Sequence, residues 1–254
     1  MLQDIVAGNV YAFILIFCRL GAAMMSLPGV GENSIPARMR LTIALLTAGL
    51  TVPILGAKLP PLPPQPLQLA VLVVTEIGLG LALGLMARLF LSALHIAGTV
   101  IAMQAGLSSA VFFDPSQGSQ SALVSSALVL FGVALVFVTD LHLLALQAAY
   151  DSYTLFPPAQ VPSFGDFAQV ATHVVSGSIV LGAKFAAPFI VYGIVFNVAL
   201  GLLNRLMPTL QIFFIMQAPQ IALALILLGL SLTAIGLSFT RHFEEQMSQF
   251  LAPR

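Results

Sequence analysis

Charged side chains make up only 7% of the 254 residues, where soluble domains carry about 25%. That shortage, with 59% hydrophobic residues and a mean hydropathy of +1.04, excludes an ordinary soluble domain and indicates an integral membrane protein. Nine basic and nine acidic residues cancel, so there is neither a basic patch for nucleic acid nor an acidic solvating tail. Cysteine is almost missing as well. Cys18, set in YAFILIFCRLG, is alone, which excludes an internal disulfide and a cysteine-based metal site and leaves a small apolar core residue. The N-terminal MLQDIVAGNVYAFILIFCRL has an acid at Asp4 and no basic n-region, which argues against a cleaved signal peptide, so its apolar segment is expected to be retained.

Enzyme signatures are lacking too. HExxH, GxSxG and acid clusters with metal-ligand spacing do not occur, and no cofactor is implied. GSIVLGAK, from Gly177 to Lys184, resembles a phosphate loop, but its lysine comes one residue late and Phe185 stands where Ser or Thr belongs, so it is a chance match. No internal repeat is visible, which removes the inverted-repeat signature of many secondary transporters.

What the chain does have is hydrocarbon. Apolar segments run over 5–28, 41–57, 67–105, 121–149, 168–203 and 209–239, and a bilayer core of about 30 Å needs about 20 helical residues. The first, fourth and sixth fit single spans and the second is at the short limit. Segments 67–105 and 168–203 would be about 58 and 54 Å long as straight helices, so they must tilt, break or protrude. Gly78, Gly80 and Gly84 in EIGLGLALG, Pro188 and Pro219 are available as breakers. Gly80 and Gly84 also form a small-xxx-small pair that permits close helix packing. The expectation is an all-α, polytopic membrane fold of hairpins and kinked long helices, forming one integral membrane domain over 1–254.

The connections are short. Residues 58–66, KLPPLPPQP, should run as extended polyproline II and serve as a stiff connector. Residues 150–167, with Asp151, Asp166 and three prolines, form the longest polar connection. Arg38, Arg40 and Arg205 put the first and fifth loops on the cytoplasmic side, yet six-span alternation then places Arg241 and Arg254 opposite, so simple alternation fails.

An ionisable residue within a span is a functional candidate because hydrocarbon is a costly place for charge. Arg19, Glu76, Arg88, His95, Asp140, His142 and Lys184 qualify. Against a functional role stands a charge that faces protein or headgroups and pairs with a neighbour. Arg19 is close enough to its segment end for its head to snorkel. Glu76 and Arg88 lie about 120° apart on a straight helix and cannot pair within it. Asp140 and His142 face opposite sides, which disfavours a shared proton site.

The remaining oddity is GLSSAVFFDPSQGSQSALVSS, residues 106–126, a polar interruption with turn chemistry: Asp114 can hydrogen-bond its own backbone and Pro115 fixes φ. By residue chemistry alone it reads first as a boundary loop with aromatic anchors.

The run MQAGLSSAVFFDPSQGSQSALVSSALVLF (103–131) resembles the segment around the plug loop of the flagellar biosynthesis protein FliR family, and NVALGLLNRLMPTLQIFFIMQAPQ (197–220) resembles that family's GLLNR-x-x-P-x-L-x-I-F signature. RLGAAMMSLPGVGENSIPARMRLTIALL (19–46) is similar to its arginine- and proline-bearing N-terminal segment. A departure is QIFFIMQAPQ, where the family more often shows Asn-Ile-Phe and a glycine-containing continuation. The resemblance implies a non-enzymatic subunit of the flagellar type III export gate in the bacterial inner membrane, at the flagellar basal body. It implies partners: FliP-like and FliQ-like gate subunits, an FlhB-like switch subunit and unfolded export substrates, in a helical assembly. It further implies that 1–167 is like the FliP-like subunit and that the hairpin 168–254 is like the FliQ-like one.

Within 106–122, the resemblance makes Phe112 and Phe113 the closing bulk of a plug, Asp114 and Pro115 its turn, and small residues such as Ser116 and Gly118 the part that lets it move. Asn204, Arg205 and Pro208 would form a hairpin turn or a subunit contact. The homologous subunit of a virulence injectisome is an alternative, and a secondary transporter or membrane enzyme is one of another class.

Overall fold

The computed structural model describes residues 2–32, 35–107, 120–158, 164–207 and 212–251. Among the described residues the regular elements are helices, with no strand. Helix α1 (Leu2–Ile16) passes through a π turn (Phe17–Gly21) into α2 (Ala22–Ser26). Then come α3 (Ala37–Leu55), a 3₁₀ turn (Gly56–Lys58), α4 (Pro66–Gln104), α5 (Gln120–Val138), α6 (Leu141–Leu155), α7 (Phe164–Leu206) and α8 (Ile212–Ser248).

Among the described residues, five stretches are long and apolar enough to cross a bilayer: Gly8–Ser26, Ala37–Leu55, Pro66–Gln104, Ala168–Leu206 and Ile212–Ser248. Several threonine hydroxyls inside them are satisfied locally. Thr42, Thr47, Thr51, Thr75 and Thr172 each donate to the carbonyl four residues back, at 2.8–2.9 Å, so their hydroxyls do not face hydrocarbon unpaired. Helices α4 and α7 are continuous over 39 and 43 residues. At 1.5 Å per residue they are about 58 and 64 Å long. Pro188 and Pro219 lie inside unbroken helices.

The fourth apolar segment, expected to fit a single span, is not one straight helix. Leu123–Val138 and Leu141–Leu155 meet at 75°, and Asp140 at the joint has φ 58° and ψ 15°. A left-handed residue cannot continue a right-handed helix, and aspartate is among the few side chains that tolerate it. The amide of Asp140 bonds the Phe137 carbonyl at 3.3 Å and its carbonyl receives the Leu143 amide at 2.9 Å, so the break keeps its backbone paired. Residues 150–167 are likewise less of a loop than expected, since α6 runs to Leu155 and α7 starts at Phe164.

The contacts divide the chain into two compact units, each assembled from discontinuous stretches: Met1–Leu89, Val136–Val174 and His242–Arg254 in the first, Phe90–Leu135 and Val175–Arg241 in the second. The first unit is centred on Ile16, Leu20, Ala23, Ala48, Leu55, Ala149 and Tyr153. Phe13 and Phe17 stack beside this core at 6.3 Å. Small residues let its backbones close up. Gly29, at φ +86°, lies where any Cβ would overlap the Phe137 ring. In the second unit Phe90, Leu94, Phe189 and Phe239 are fully buried. There α7 meets α4 at Gly182, where an added Cβ would stand 2.8 Å from the Ala93 carbonyl oxygen and 3.1 Å from Ile96.

Candidate functional site

Among the described residues, three places concentrate polar chemistry. The first is a buried ion pair in the first unit. Arg19 sits on the π turn, whose extra residue locally re-aims side chains relative to an α-helix, and both Arg19 and Glu76 are 0% exposed. The guanidinium meets the carboxylate with two bonds: Nε to Oε2 at 2.5 Å and Nη2 to Oε1 at 2.9 Å. Its remaining nitrogen, Nη1, donates to the carbonyls of Phe156 at 3.0 Å and Ser152 at 3.2 Å. Tyr153 lies under the cation, 4.1 Å from Cζ to the ring centroid. Arginine suits this site because its planar fork serves a carboxylate and a helix end together. The Phe156 carbonyl follows the last turn of α6, where carbonyls lack helical partners and positive charge is favoured.

Glu76, Gly80 and Gly84 recur every fourth residue on α4 and form one stripe. Glu76 holds the Arg19 side chain. A Cβ at Gly80 would overlap the Arg19 carbonyl oxygen and come within 2.9 Å of the Ala22 side chain, and one at Gly84 would overlap the Ala23 carbonyl oxygen and the Ser26 hydroxyl. That hydroxyl bonds back to the Ala22 carbonyl at 3.1 Å. The stripe thus carries the charge and the clearance that lets segment 19–26 reach it.

The second place is the C-terminal end of α4, in the second unit. Helix α4 stops at Gln104, and Gly106 follows with φ +78°. Gln220 of α8, 8% exposed, donates from Nε2 to the Gln104 carbonyl at 3.1 Å. The Tyr192 hydroxyl of α7 donates to the Gln220 carbonyl at 2.7 Å. A Cβ at Gly106 would come within 3.0–3.1 Å of the Gln220 carboxamide.

The third is the α7–α8 end. Asn204 and Arg205 are exposed in the last turn of α7, where a cation is favoured by the helix dipole. Asn197, Leu200, Gly201, Asn204, Ile212, Phe213 and Phe214 line a cavity of about 390 Å³ there. Phe213 and Phe214 meet edge to face at 5.9 Å.

The expectation that Arg19 snorkels is overturned, because its head is fully enclosed and paired 57 residues away. Arg88, His95, Asp140 and Lys184 are exposed rather than gathered into a site. His142 is half-buried, with Nδ1 3.4 Å from the Val136 carbonyl and its ring 4.9 Å from Phe137. Phe112, Phe113, Asp114, Pro115, Ser116, Gly118 and Pro208 lie outside the described residues. Periodicity singles out none of Gln104, Ser152, Tyr153, Tyr192 and Gln220. The readable signal was narrower: one acid and two glycines on a single face of α4, with one fork-shaped cation elsewhere. Among the described residues no group of three or more His, Cys, Asp or Glu could hold a metal ion.

Comparison with known proteins covers nearly the whole chain. Residues 10–246 match the family described as bacterial export proteins, family 1. The chain is 40% identical over 244 residues to the flagellar biosynthetic protein FliR of Caulobacter vibrioides, covering 96% of this chain and 97% of that one. It is 28% identical to the protein of the same name from Bacillus subtilis, over 88% and 87% of the two chains. With the Escherichia coli protein of that name it shares 27% identity over 96% and 92%.

Proposed function

This chain belongs to family 1 of the bacterial export proteins, and on that premise we propose that it is a non-enzymatic subunit of the flagellar type III export gate, seated in the bacterial inner membrane at the flagellar basal body. The observation that carries this is similarity running the length of the chain to proteins with flagellar names, at up to 40% identity. Those names favour the flagellar apparatus over a virulence injectisome. Apolar helices of bilayer-spanning length, five of them among the described residues, supply the membrane part. The partners are FliP-like and FliQ-like gate subunits and an FlhB-like switch subunit, with unfolded export substrates as cargo. Residues 1–167 take the place of a FliP-like protomer and the hairpin 168–254 that of a FliQ-like one, packed through surfaces such as the exposed Asn204–Arg205 turn.

The gating element is the segment 106–122. A channel that passes unfolded protein has to hold back ions at rest, and an apolar constriction does so by excluding water. Phe112 and Phe113 provide the apolar bulk, Asp114 and Pro115 set the turn, and the small residues after them allow displacement. The segment joins α4 to α5, two strongly apolar helices that serve as its posts.

Deleting the gene in its own bacterium is expected to abolish motility and export of flagellar building blocks, and the tagged chain is expected to co-purify with two small polytopic partners. A motile deletion strain, or a chain that purifies alone and transports a small solute, would refute the assignment. Removal of residues 106–122 from the assembled gate is expected to open a resting ion leak; unchanged conductance would sink the plug.

A further inference from the structure

Helix α3 is built inside out. Its large apolar side chains Met39, Leu46, Leu50 and Ile54, at 57, 62, 75 and 59% exposure, fall on one face and point away from the protein. Ala44, Ala48 and Leu55 lie on the opposite face and are buried. The two alanines let α3 seat closely on α1 and its π turn: a Cβ at Gly21 would stand 3.7 Å from the Ala44 methyl, and Ala48 joins the core beside Ile16 and Leu20. Contact through small residues, with bulk turned outward, is how helices associate in lipid. The outward face also asks for no polar partner, since the Thr42 and Thr47 hydroxyls already bond carbonyls of their own helix at 2.9 Å.

Length sets α3 apart as well. Of the five apolar stretches, those in α4, α7 and α8 run 37–39 residues, and Gly8–Ser26, though also 19 residues long, is half buried and carries Arg19 within it. Helix α3 has 19 residues, and residues 41–57, between Arg40 and Lys58, hold no charge. From Arg38 to Lys58 the chain rises about 30 Å, the thickness of a bilayer's hydrocarbon core. Arg38 and Lys58 are exposed, and among the described residues neither they nor Arg40 have an ion-pair partner. Arg38 and Arg40 also stand at the positive end of the helix dipole, which disfavours them there, so what favours them has to come from outside the helix. A bilayer supplies anions at this spacing, the headgroup phosphates of its two leaflets, and long cationic side chains reach them while their stems stay in hydrocarbon.

We infer that the outward face of α3 is covered by phospholipid and that this helix sets the depth of the chain in the membrane. Acyl chains lie against Leu46 and Leu50, Arg38 and Arg40 reach the phosphates of one leaflet, and Lys58 reaches those of the other. The 37–39-residue helices cannot serve as the gauge, because they exceed the hydrocarbon at any level they take.

The test places a nitroxide spin label on single cysteines, Met39→Cys, Leu46→Cys, Leu50→Cys and Ile54→Cys, in a Cys18→Ser background. The tagged full chain, with whatever companions purify with it, is returned to phospholipid vesicles, and collisions of each label with oxygen and with a water-soluble nickel chelate are measured. Labels in lipid meet oxygen and not nickel. That result is expected at Leu46→Cys and Leu50→Cys, with the greatest depth there, about 12–15 Å below the phosphates, and shallower readings toward both ends. Labels that meet neither reagent lie against protein, and labels that meet nickel face water; either result overturns the lipid face. A depth that increases steadily from 39 to 54 overturns the gauge.

Two further arms address the cations and the competing occupant. Arg38→Gln with Arg40→Gln is expected to let the Met39→Cys label sink by about 3 Å, the rise of two residues; an unmoved label overturns the hold by phosphate. In cells, a benzophenone amino acid at position 50 is expected to leave chain abundance unchanged and to give no adduct with another protein on illumination. An adduct with a partner chain overturns the lipid assignment whatever the vesicles show.

Discussion

Cutting one half of the Arg19–Glu76 pair should cost far more than removing both halves. Glu76→Leu leaves a guanidinium with 0% exposure and no counter-charge, still held by the Ser152 and Phe156 carbonyls. Loss of one partner from a buried pair costs about 3–5 kcal/mol, mostly from the charge left behind. Arg19→Met/Glu76→Leu removes both charges at similar volume. Of the two carbonyls that Arg19 serves, Ser152 keeps a bond from the Phe156 amide at 2.8 Å, so only the partly buried Phe156 carbonyl is bared, at about 1 kcal/mol. The double variant is therefore expected within about 1–2 kcal/mol of the parent, with a coupling of at least about 2 kcal/mol in the cycle.

A charge swap, Arg19→Glu/Glu76→Arg, should not rescue, because a carboxylate at position 19 would face those two carbonyls. Arg19→Lys should also fall short, since an ammonium lacks the planar fork. Thermal unfolding of the purified gate complex measures all of these. At roughly 2–4 °C per kcal/mol for a chain of this size, Glu76→Leu should unfold about 10 °C early and the double variant within a few degrees of the parent. Additive single effects, or a Glu76→Leu protein as stable as the parent, would refute the reasoning.

The glycines of α4 give a paired prediction. Gly80→Ala puts a methyl into the Arg19 carbonyl and should cost about 1–3 kcal/mol. Gly78→Ala, with nothing within 4 Å of its Cβ, should instead gain about 0.5–1 kcal/mol from helix propensity, both read from the unfolding midpoint. Asp140→Asn should be neutral, whereas Asp140→Val forces a branched side chain into the left-handed region and should cost about 1–2 kcal/mol by the same assay. Arg205→Ala should lower gate assembly, scored by co-purification and swimming, by about fivefold; unaltered assembly would remove its contact role.

Hydropathy located α4 and α7 to within a few residues, because burial of apolar length in a bilayer leaves little else to choose. Segment 67–105 is α4 at Pro66–Gln104. Segment 209–239 begins well but ends early, since α8 continues to Ser248 through SFTRHFEEQMS, where buried Phe239, Phe243 and Met247 recur every fourth residue among polar ones and the mean hydropathy falls. The break at Asp140 escaped notice because a single left-handed φ changes direction without changing composition. Arg19 and Glu76 were each visible as costly charges, but their pairing depends on a π turn and on contacts remote in sequence. Gln220 and Tyr192 were invisible for a related reason. Uncharged polar residues in apolar helices are common, and only their geometry shows which ones hold another helix's end.

The length of α4 bears on how a cell handles this chain. Even tilted by 40°, the upper end of the usual range, a helix of about 58 Å rises about 44 Å against a hydrocarbon core of about 30 Å. Exposed apolar side chains run along it from Leu67, Val71 and Val74 to Leu81, Leu85 and Met103. Whichever depth it takes, a newly made copy standing alone presents greasy turns to water. Such a copy is an orphan that membrane proteases and chaperones can recognise. Its lifetime is then expected to lengthen with the supply of companions that cover it, a dependence that pulse-chase labelling would read.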